Sequence, residues 1–373
     1  MNDEGLSDEN VVNLVDRTLS DEEMEDLVAS DEVPPEVTYS TQDYPVDALV
    51  KRLNQGSMRV AQFGVDDPAN QTAGFQRGFV WTKGQMDRFV ESLLLGYPVP
   101  GIFLVKQSDN VLLVLDGQQR LETLRRYYEG LHNGRAFALD NAAGQFKGCT
   151  YKSLDESSRL ALDNSFMTAT IVTTDGTPAV NDAIYKIFER LNAGGTQLTP
   201  HEIRVALYAG ELMVLIERLN SLSAWRELFG PRNKRIRDHE LVTRIIALFL
   251  RADAYARPLK TFLNRFCSDY RSAKNFPSEV AELFERAVTL LQQDVGSAAL
   301  RRTDGRQVNS AQAEAVMVGL MRQLETGIEP DDLATTVQDL KQDETFVRAT
   351  TRSTADNEAV RDRLSLATQA FAR

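Results

Sequence analysis

VLLVLDGQQRLETLRRYY, residues 111–128, joins a strand pattern to a helix pattern through one short polar turn. The run 111–115 is apolar at every position, which is typical of a strand with both faces buried in a sheet. From residue 121 the apolar residues recur at helical spacing and predict a helix over 121–128. Between them lies Asp116-Gly-Gln-Gln-Arg120, where Gly117 permits a sharp turn of the backbone. This order predicts a domain of mixed α and β structure with its functional residues at the turn.

Short alternating elements continue on both sides of this stretch. Periodicity predicts helices over 46–53 and 81–95 and strands over 58–63 and 102–105. After about residue 178 only helical patterns occur, and Thr199-Pro-His-Glu202 has the form of a capping box. These helical patterns cover residues 183–191, 211–222, 239–252, 258–272, 278–291, 310–325, 330–343 and 358–371. The predicted fold class is therefore α+β, with a mixed domain followed by an all-helical domain.

Negative charge is concentrated at the N-terminus. The 373-residue chain has a formal net charge of −12, yet residues 1–47 hold fifteen Asp and Glu against a single basic residue, Arg17. The remainder is nearly neutral, so the overall acidity does not exclude a nucleic-acid partner. We expect an acidic, partly disordered arm over 1–45, a mixed domain over 46–178 and a helical domain over 179–373. The arm is either a solvated segment or one that mimics nucleic acid or covers a basic groove.

Several protein classes are excluded by the patterns that the sequence lacks. No stretch reaches the roughly 18 to 20 apolar residues of a membrane span, and the acidic N-terminus has no signal-peptide features. We therefore expect a cytoplasmic protein without a membrane partner. GxxxxGK[ST], GxGxxG, GxSxG and HExxH are all missing. Cys149 and Cys267 lie far apart and the three histidines, His132, His201 and His239, are isolated, so no metal site is predicted.

The turn at residues 116–120 has the chemistry of a phosphate site. The helix that follows offers free backbone N–H groups and the positive end of its dipole, and Arg120 adds a planar fork of donors. Asp116, at the strand end, would orient Arg120 or a water molecule, or hold a metal ion. The alternative is a plain turn in which Asp116 caps the helix and Arg120 faces solvent.

Other polar groups allow both a functional and a structural interpretation. Arg190, Asn192 and Arg204 would close over a nucleotide from the other side. The alternative is a helix C-cap followed by a capping box, which accounts for Gly194, Gly195, Thr199 and Glu202 without a ligand. Trp81 and Trp225 are predicted to be packing residues. Two basic stretches are either solvated loops or patches that follow DNA phosphates. They contain Arg226, Arg232, Lys234, Arg235 and Arg237, and then Arg301, Arg302 and Arg306.

The order of these motifs resembles a known family. Phe75-Gln-Arg77, Val80-Trp81 and Gly96-Tyr-Pro-Val-Pro100 precede the turn, and Phe188-Glu-Arg-Leu-Asn192 with Glu202-Ile-Arg204 follows it. Over about residues 46–210 they resemble the N-terminal domain of GmrSD-type restriction endonucleases, which is similar to the ParB/sulfiredoxin fold. The resemblance implies a nucleoside triphosphate with Mg²⁺ at the turn and coupling to cleavage of foreign or modified DNA, with Asp116 and Arg120 as catalytic residues. The residues that it implies for nucleotide binding are Arg77, Gly117, Gln118, Gln119, Arg120, Asn192 and Arg204.

The sequence departs from the full-length family pattern after the helical region begins. Fused members carry an HNH-like nuclease domain with closely placed histidines, whereas no histidine follows His239. We therefore predict a nucleotide-binding subunit with a separate HNH-like nuclease as partner and DNA as a second partner; nucleotide hydrolysis and homo-oligomer formation stay open. The alternative is a non-catalytic DNA-binding or regulatory module, whose affinity would fall steeply with salt. A stand-alone nuclease ranks last.

Overall fold

The computed structural model describes residues 37–60, 79, 81–107, 110–174, 177–191, 199–233, 235–303 and 305–372. These residues fall into two compact units. The sheet unit takes the described residues up to 191, and the helical unit takes those from 199 onward. The domain boundaries given above stay predictions.

The sheet unit is built around a five-stranded mixed sheet. Its strands are β1 (Tyr39–Pro45), β2 (Met58–Val60), β3 (Ile102–Lys106), β4 (Leu112–Asp116) and β7 (Phe166–Thr173), in the order β1-β7-β3-β4-β2. β7 is antiparallel to β1 and parallel to β3, while β4 is antiparallel to β3 and parallel to β2. The apolar strand predicted over 111–115 is observed as β4, an interior strand in which residues 112–115 are buried. A separate hairpin pairs β5 (Leu131–His132) with β6 (Arg135–Ala136).

The described part of the sheet unit also contains helices, several of which share a core with the sheet and fix the direction of the turn after β4. They are α1 (Val46–Asn54), α2 (Lys83–Leu94), α3 (Gln118–Glu129), α4 (Glu156–Asp163) and α5 (Pro178–Leu191). Apolar residues of α1, α2 and α3 share one core cluster with strand residues such as Leu104 and Val114. Burial of this cluster is the main force that holds α3 against the sheet. The N-terminal end of α3 is therefore fixed directly after the buried strand.

Two differences from the expected elements have local causes. Residues 39–45, assigned to the acidic arm, form the edge strand β1, whose side chains are mostly exposed. Helix α2 starts at Lys83 rather than at residue 81, because the Thr82 side chain accepts from the Gln85 backbone and the Gln85 side chain accepts in return from Thr82. This reciprocal capping satisfies two backbone donors at the helix start.

The helical unit confirms the all-helical prediction for the C-terminal half within the residues described. Its helices are α6 (Pro200–Leu207), α7 (Glu211–Asn220), α8 (Ser223–Phe229), α9 (Arg237–Arg251), α10 (Leu259–Asp269), α11 (Glu279–Asp294), α12 (Ser310–Glu325), α13 (Leu333–Gln342), α14 (Glu344–Ala349) and α15 (Asn357–Phe371). The predicted Thr199–Glu202 capping box is present at the start of α6. None of the helices in the described ranges is long and apolar enough to cross a bilayer. The α+β class is thus confirmed.

Charged side chains are buried where α9, α12 and α15 meet. Both carboxylate oxygens of Glu314 have an arginine partner: Arg244 Nε at 2.5 Å and Arg363 Nη2 at 2.5 Å. Glu314 is fully buried and Arg363 is 1% exposed. Because a buried charge without a partner is costly, removal of any one member of this cluster should destabilise the packing of the three helices.

Candidate functional site

The turn between β4 and α3 depends on one glycine. Gly117 has φ +94° and occupies the position before the first residue of α3. A Cβ at this residue would lie 2.4 Å from Ile102 Cγ2 on β3, closer than non-bonded carbons approach. Among the described groups, no side chain caps this helix N-terminus. The backbone therefore passes tightly over β3 and presents the first N–H groups of α3 beyond the C-terminal end of β4.

Asp116 and Arg120 form an ion pair across this turn. Arg120 Nη2 donates to Asp116 Oδ2 at 2.6 Å, and its Nη1 donates to the backbone carbonyl of Pro100 at 3.2 Å. The Arg120 side chain is only 12% exposed, whereas the Asp116 side chain is 48% exposed. The guanidinium thus lies beneath the carboxylate, and the carboxylate is the more accessible of the two charged groups.

The two glutamines of the turn point to neighbouring backbone. Gln118 Nε2 donates to the carbonyl of Val114 at 3.4 Å, which is a long hydrogen bond back to β4. Gln119 Oε1 accepts from the backbone N–H of Trp81 at 3.2 Å. Gln119 therefore joins the first turn of α3 to the entrance of α2, a contact that sequence spacing does not reveal.

The same side of α3 carries a second polar group within the next two turns. Glu122 accepts from Arg125 and from Arg126 at 2.8 Å, and the Arg126 guanidinium lies 4.2 Å from the centre of the Phe79 ring. Burial raises the pKa of Glu122, but the hydrogen bonds from both arginines outweigh it and leave the pKa below its usual value. Arg126 Nη1 also contacts His132 Nδ1 at 3.1 Å.

Arg204, expected at the nucleotide, lies in the helical unit and is 1% exposed. Its Nε donates to Asn264 Oδ1 at 3.1 Å, and its Nη1 contacts His201 Nδ1 at 2.9 Å and lies 3.7 Å from Glu240 Oε1. Since arginine has no acceptor, Nδ1 of His201 accepts, and the proton of a neutral His201 is on Nε2. That nitrogen lies 2.7 Å from His239 Nδ1 and donates to it. These contacts account for Arg204 without a nucleotide.

Both imidazoles of this pair are neutral in the folded protein. Burial is the main cause, because it disfavours the charged ring and lowers the pKa of His239 to about 3 and that of His201 well below 6.5. Nearby arginines, Arg204 among them, lower both values further. The two histidines therefore belong to the interior of the helical unit.

Most arginines of the basic stretches that the structure describes make contacts within the helical unit. Arg301 donates to the carbonyls of Leu228 and Phe229. Arginines of the 226–237 stretch pair with carboxylates: Arg226 with Asp238 at 2.7 Å, Arg232 with Glu217 at 2.6 Å and Arg235 with Glu202 at 3.8 Å. Lys234 lies outside the described residues. This pairing favours a structural role for these arginines over an open phosphate-binding patch.

The structure brings together Asp116, Gly117, Gln118, Gln119 and Arg120. Arg77 and Asn192 lie outside the described residues, as do Gly194 and Gly195. Sequence reasoning missed the carbonyl of Pro100, the side chain of Ile102 and the backbone of Trp81, which all contact the turn from distant positions. Pro100 and Trp81 had a sequence signal, because they belong to the Gly96–Pro100 and Val80-Trp81 motifs, whereas Ile102 had none.

The predictions for the two tryptophans are confirmed by their surroundings. Trp225 is fully buried, and Trp81 packs against the core with its ring 5.5 Å from that of Phe89. Across the described part of the chain, no group of three or more His, Cys, Asp or Glu side chains is arranged to hold a metal ion.

Comparison with known proteins identifies the family of the region that contains the turn. Residues 61–209 match the family model described as GmrSD restriction endonuclease, N-terminal domain. This match confirms the resemblance given by the motifs and covers both the turn and α6. No curated protein and no solved structure matches the chain.

Proposed function

We propose that this chain, which carries a GmrSD restriction endonuclease N-terminal domain over residues 61–209, is the nucleoside-triphosphate-binding component of a GmrSD-like restriction system. The turn from Asp116 to Arg120 would be the phosphate-binding element. The observation that carries the proposal is the combination of a left-handed Gly117, a helix N-terminus that no side chain in the described ranges caps, and an adjacent Asp116–Arg120 pair.

The backbone of the turn suits an anion for two reasons. The first N–H groups of α3 have no partner within the helix, and the helix dipole places positive partial charge at the same end. Gly117 lets the backbone pass close over Ile102 in a left-handed conformation, which sets the direction of these N–H groups. Both properties follow from main-chain geometry and would be kept whichever nucleobase is bound.

Arg120 and Asp116 would bind different parts of the ligand, the phosphate and Mg²⁺ respectively. The guanidinium would donate to a phosphate oxygen, and each such charge-assisted bond is worth about 1.5–3 kcal/mol when desolvated. Asp116 fits Mg²⁺, because this ion is usually held by one or two carboxylates together with substrate phosphates. When bound, Mg²⁺ would neutralise phosphate charge. Asp116 also keeps Arg120 in place through the 2.6 Å ion pair.

DNA cleavage would belong to a nuclease partner in this proposal. The family description links the domain to restriction of DNA. Two of the three histidines of the chain, His201 and His239, are bonded to each other inside the helical unit. They are therefore structural residues, and an HNH-like partner would supply the metal-binding histidines of the nuclease.

The experiment is a binding titration of the purified protein with ATP, GTP, CTP and UTP, with and without Mg²⁺, combined with phosphate-release measurements. Arg120→Ala should weaken binding about tenfold or more, since it removes at least one charge-assisted bond. Arg125→Ala is the matched control, because Arg125 lies on the same helix, is 32% exposed and pairs with Glu122. Asp116→Asn keeps an acceptor for Arg120 and should reduce mainly the Mg²⁺-dependent part of the affinity.

The outcomes separate the two interpretations of the fold. Equal nucleotide affinity in wild type and Arg120→Ala would remove the turn from the site. Absence of binding by any nucleotide, together with salt-sensitive DNA binding, would favour the DNA-binding module. Phosphate release by the wild-type protein, and not by the Arg120→Ala variant, would make the chain an NTPase.

A further inference from the structure

We propose that Gln119 is a positioning residue that anchors the entrance of α2 to the first turn of α3. The inference rests in part on the proposed function, because nucleotide affinity is one of its readouts. It assigns to Gln119 a role through its side-chain carbonyl, in place of the ligand contact that the motif suggested.

The first of the two contacts that form this anchor is a hydrogen bond between Trp81 and Gln119. Trp81 precedes Thr82, the N-cap of α2, so its N–H lies outside the helical hydrogen-bond ladder. Gln119 Oε1 accepts from this N–H at 3.2 Å. The Trp81 ring packs edge-on against Phe89 of α2 and adds an apolar contact. Trp81 is thereby held on both sides, by α3 through its backbone and by α2 through its ring.

The second point of the anchor lies two helical turns along α3. Glu122 orients Arg126 through a 2.8 Å ion pair, and Arg126 lies over the Phe79 ring at 4.2 Å. His132 contacts the same ring edge-on, with the ring centres 5.9 Å apart. Gln119, Glu122 and Arg126 follow i, i+3, i+7 spacing and so share one side of α3. This side thus contacts Phe79 at one end and Trp81 at the other.

The anchor matters for the candidate site because of where Gln119 stands. It lies between Gln118 and Arg120 in the first turn of α3, the same turn that would offer backbone donors to a phosphate. A first turn that is already held in place loses less conformational freedom when a ligand binds. Removal of the anchor should therefore weaken nucleotide binding even though Gln119 does not touch the ligand.

The test compares Gln119→Ala with Gln119→Glu. Alanine removes the acceptor for the Trp81 N–H, whereas glutamate keeps a side-chain oxygen at the same reach. Gln118→Ala is the matched control, because Gln118 bonds back to Val114 of its own sheet strand. The readouts are hydrogen exchange of the Trp81 amide and ¹⁹F NMR of protein labelled with 5-fluorotryptophan. Trp225, buried in the helical unit, provides the internal reference signal.

We expect Gln119→Ala to exchange the Trp81 amide about three- to tenfold faster, as fits the loss of one ordinary hydrogen bond. Its Trp81 ¹⁹F signal should move while that of Trp225 stays. Gln119→Glu should restore slow exchange, and Gln118→Ala should leave it unchanged. Nucleotide affinity should fall about three- to tenfold in Gln119→Ala.

Two results would overturn the inference. One is equal exchange and equal Trp81 signals in wild type and Gln119→Ala, which would show that no anchor exists. The other is a loss of nucleotide affinity in Gln119→Ala with an unchanged Trp81 signal, which would make Gln119 a ligand contact. If wild type binds no nucleotide, the proposed function fails on its own, and the exchange and ¹⁹F measurements still decide the anchor.

Discussion

Replacement of Gly117 by alanine tests the tight turn on which the candidate site depends. The new methyl group would meet two penalties. A non-glycine residue in the left-handed region costs about 1–2 kcal/mol. A Cβ only 2.4 Å from Ile102 Cγ2 and 3.1 Å from Ile102 Cβ forces side chain or backbone to move, and overpacking of this kind costs about 1–3 kcal/mol. We therefore expect Gly117→Ala to lower the free energy of unfolding by about 2–5 kcal/mol.

Gly130→Ala is the matched control, because Gly130 ends the same helix. It has φ +80°, and no heavy atom lies within 4 Å of the Cβ position. This variant should pay only the left-handed penalty of about 1–2 kcal/mol. The difference between the two variants then measures the crowding at Gly117, which comes mainly from Ile102 and to a smaller extent from Arg120 Nη2 at 3.3 Å. Urea unfolding followed by the ¹⁹F signal of Trp81 reports on the sheet unit alone.

A double-mutant cycle removes the remaining ambiguity. Ile102→Ala deletes the Cγ2 atom that the new methyl group would strike, so the two substitutions together should cost less than the sum of their separate effects. The expected coupling is on the order of 1–2 kcal/mol, within the usual range for residues in contact. Equal losses for Gly117→Ala and Gly130→Ala, with additive effects of Ile102→Ala, would refute the reasoning.

Two further predictions concern the helical unit and are measured by urea unfolding at the Trp225 signal. Glu314→Gln should lower the free energy of unfolding by about 3–5 kcal/mol, because it leaves two buried arginines without their carboxylate. The control Glu329→Gln loses only an exposed ion pair and should lower it by less than about 1 kcal/mol. Similar losses in the two variants would contradict the value for Glu314. For the pair His201–His239, the folded pKa values lie below the unfolded value near 6.5, so the unfolded state takes up protons first as pH falls. Stability should therefore be full above pH 6.5 and decrease toward pH 3 by up to about 1.4 kcal/mol per pH unit for each histidine, and a flat profile between pH 7 and 5 would contradict neutral buried rings.

The parts of the fold that were predictable are those whose signal is local. The apolar run 111–115 predicted an interior strand, because strands buried on both faces are apolar at nearly every position. The edge strand β1 gave no such signal, since five of its seven residues are exposed. Its strand form depends on pairing with β7, where Tyr39 lies opposite Val172. A pairing over more than 130 residues cannot be inferred from local periodicity.

The candidate site likewise has parts that the local sequence predicts and parts that only the folded chain brings together. The polar turn, its glycine and the Asp116–Arg120 spacing were all visible in five consecutive residues. The groups that give the turn its shape, Pro100 and Ile102, come from the preceding strand and loop, and only the folded chain brings them to it.

The family match covers two kinds of motif residue, and this affects how variants should be interpreted. Asp116 is 48% exposed at a helix N-terminus, so a substitution there should leave the core of the sheet unit intact and act mainly on Arg120 and on the proposed ligand. Every residue of α6 is buried, and Arg204 is held by Asn264 and His201. Loss of a buried hydrogen-bonded cation typically unfolds its surroundings before it affects a ligand. An inactive Arg204 variant would therefore indicate nucleotide contact only if the Trp225 signal shows that the helical unit is still folded.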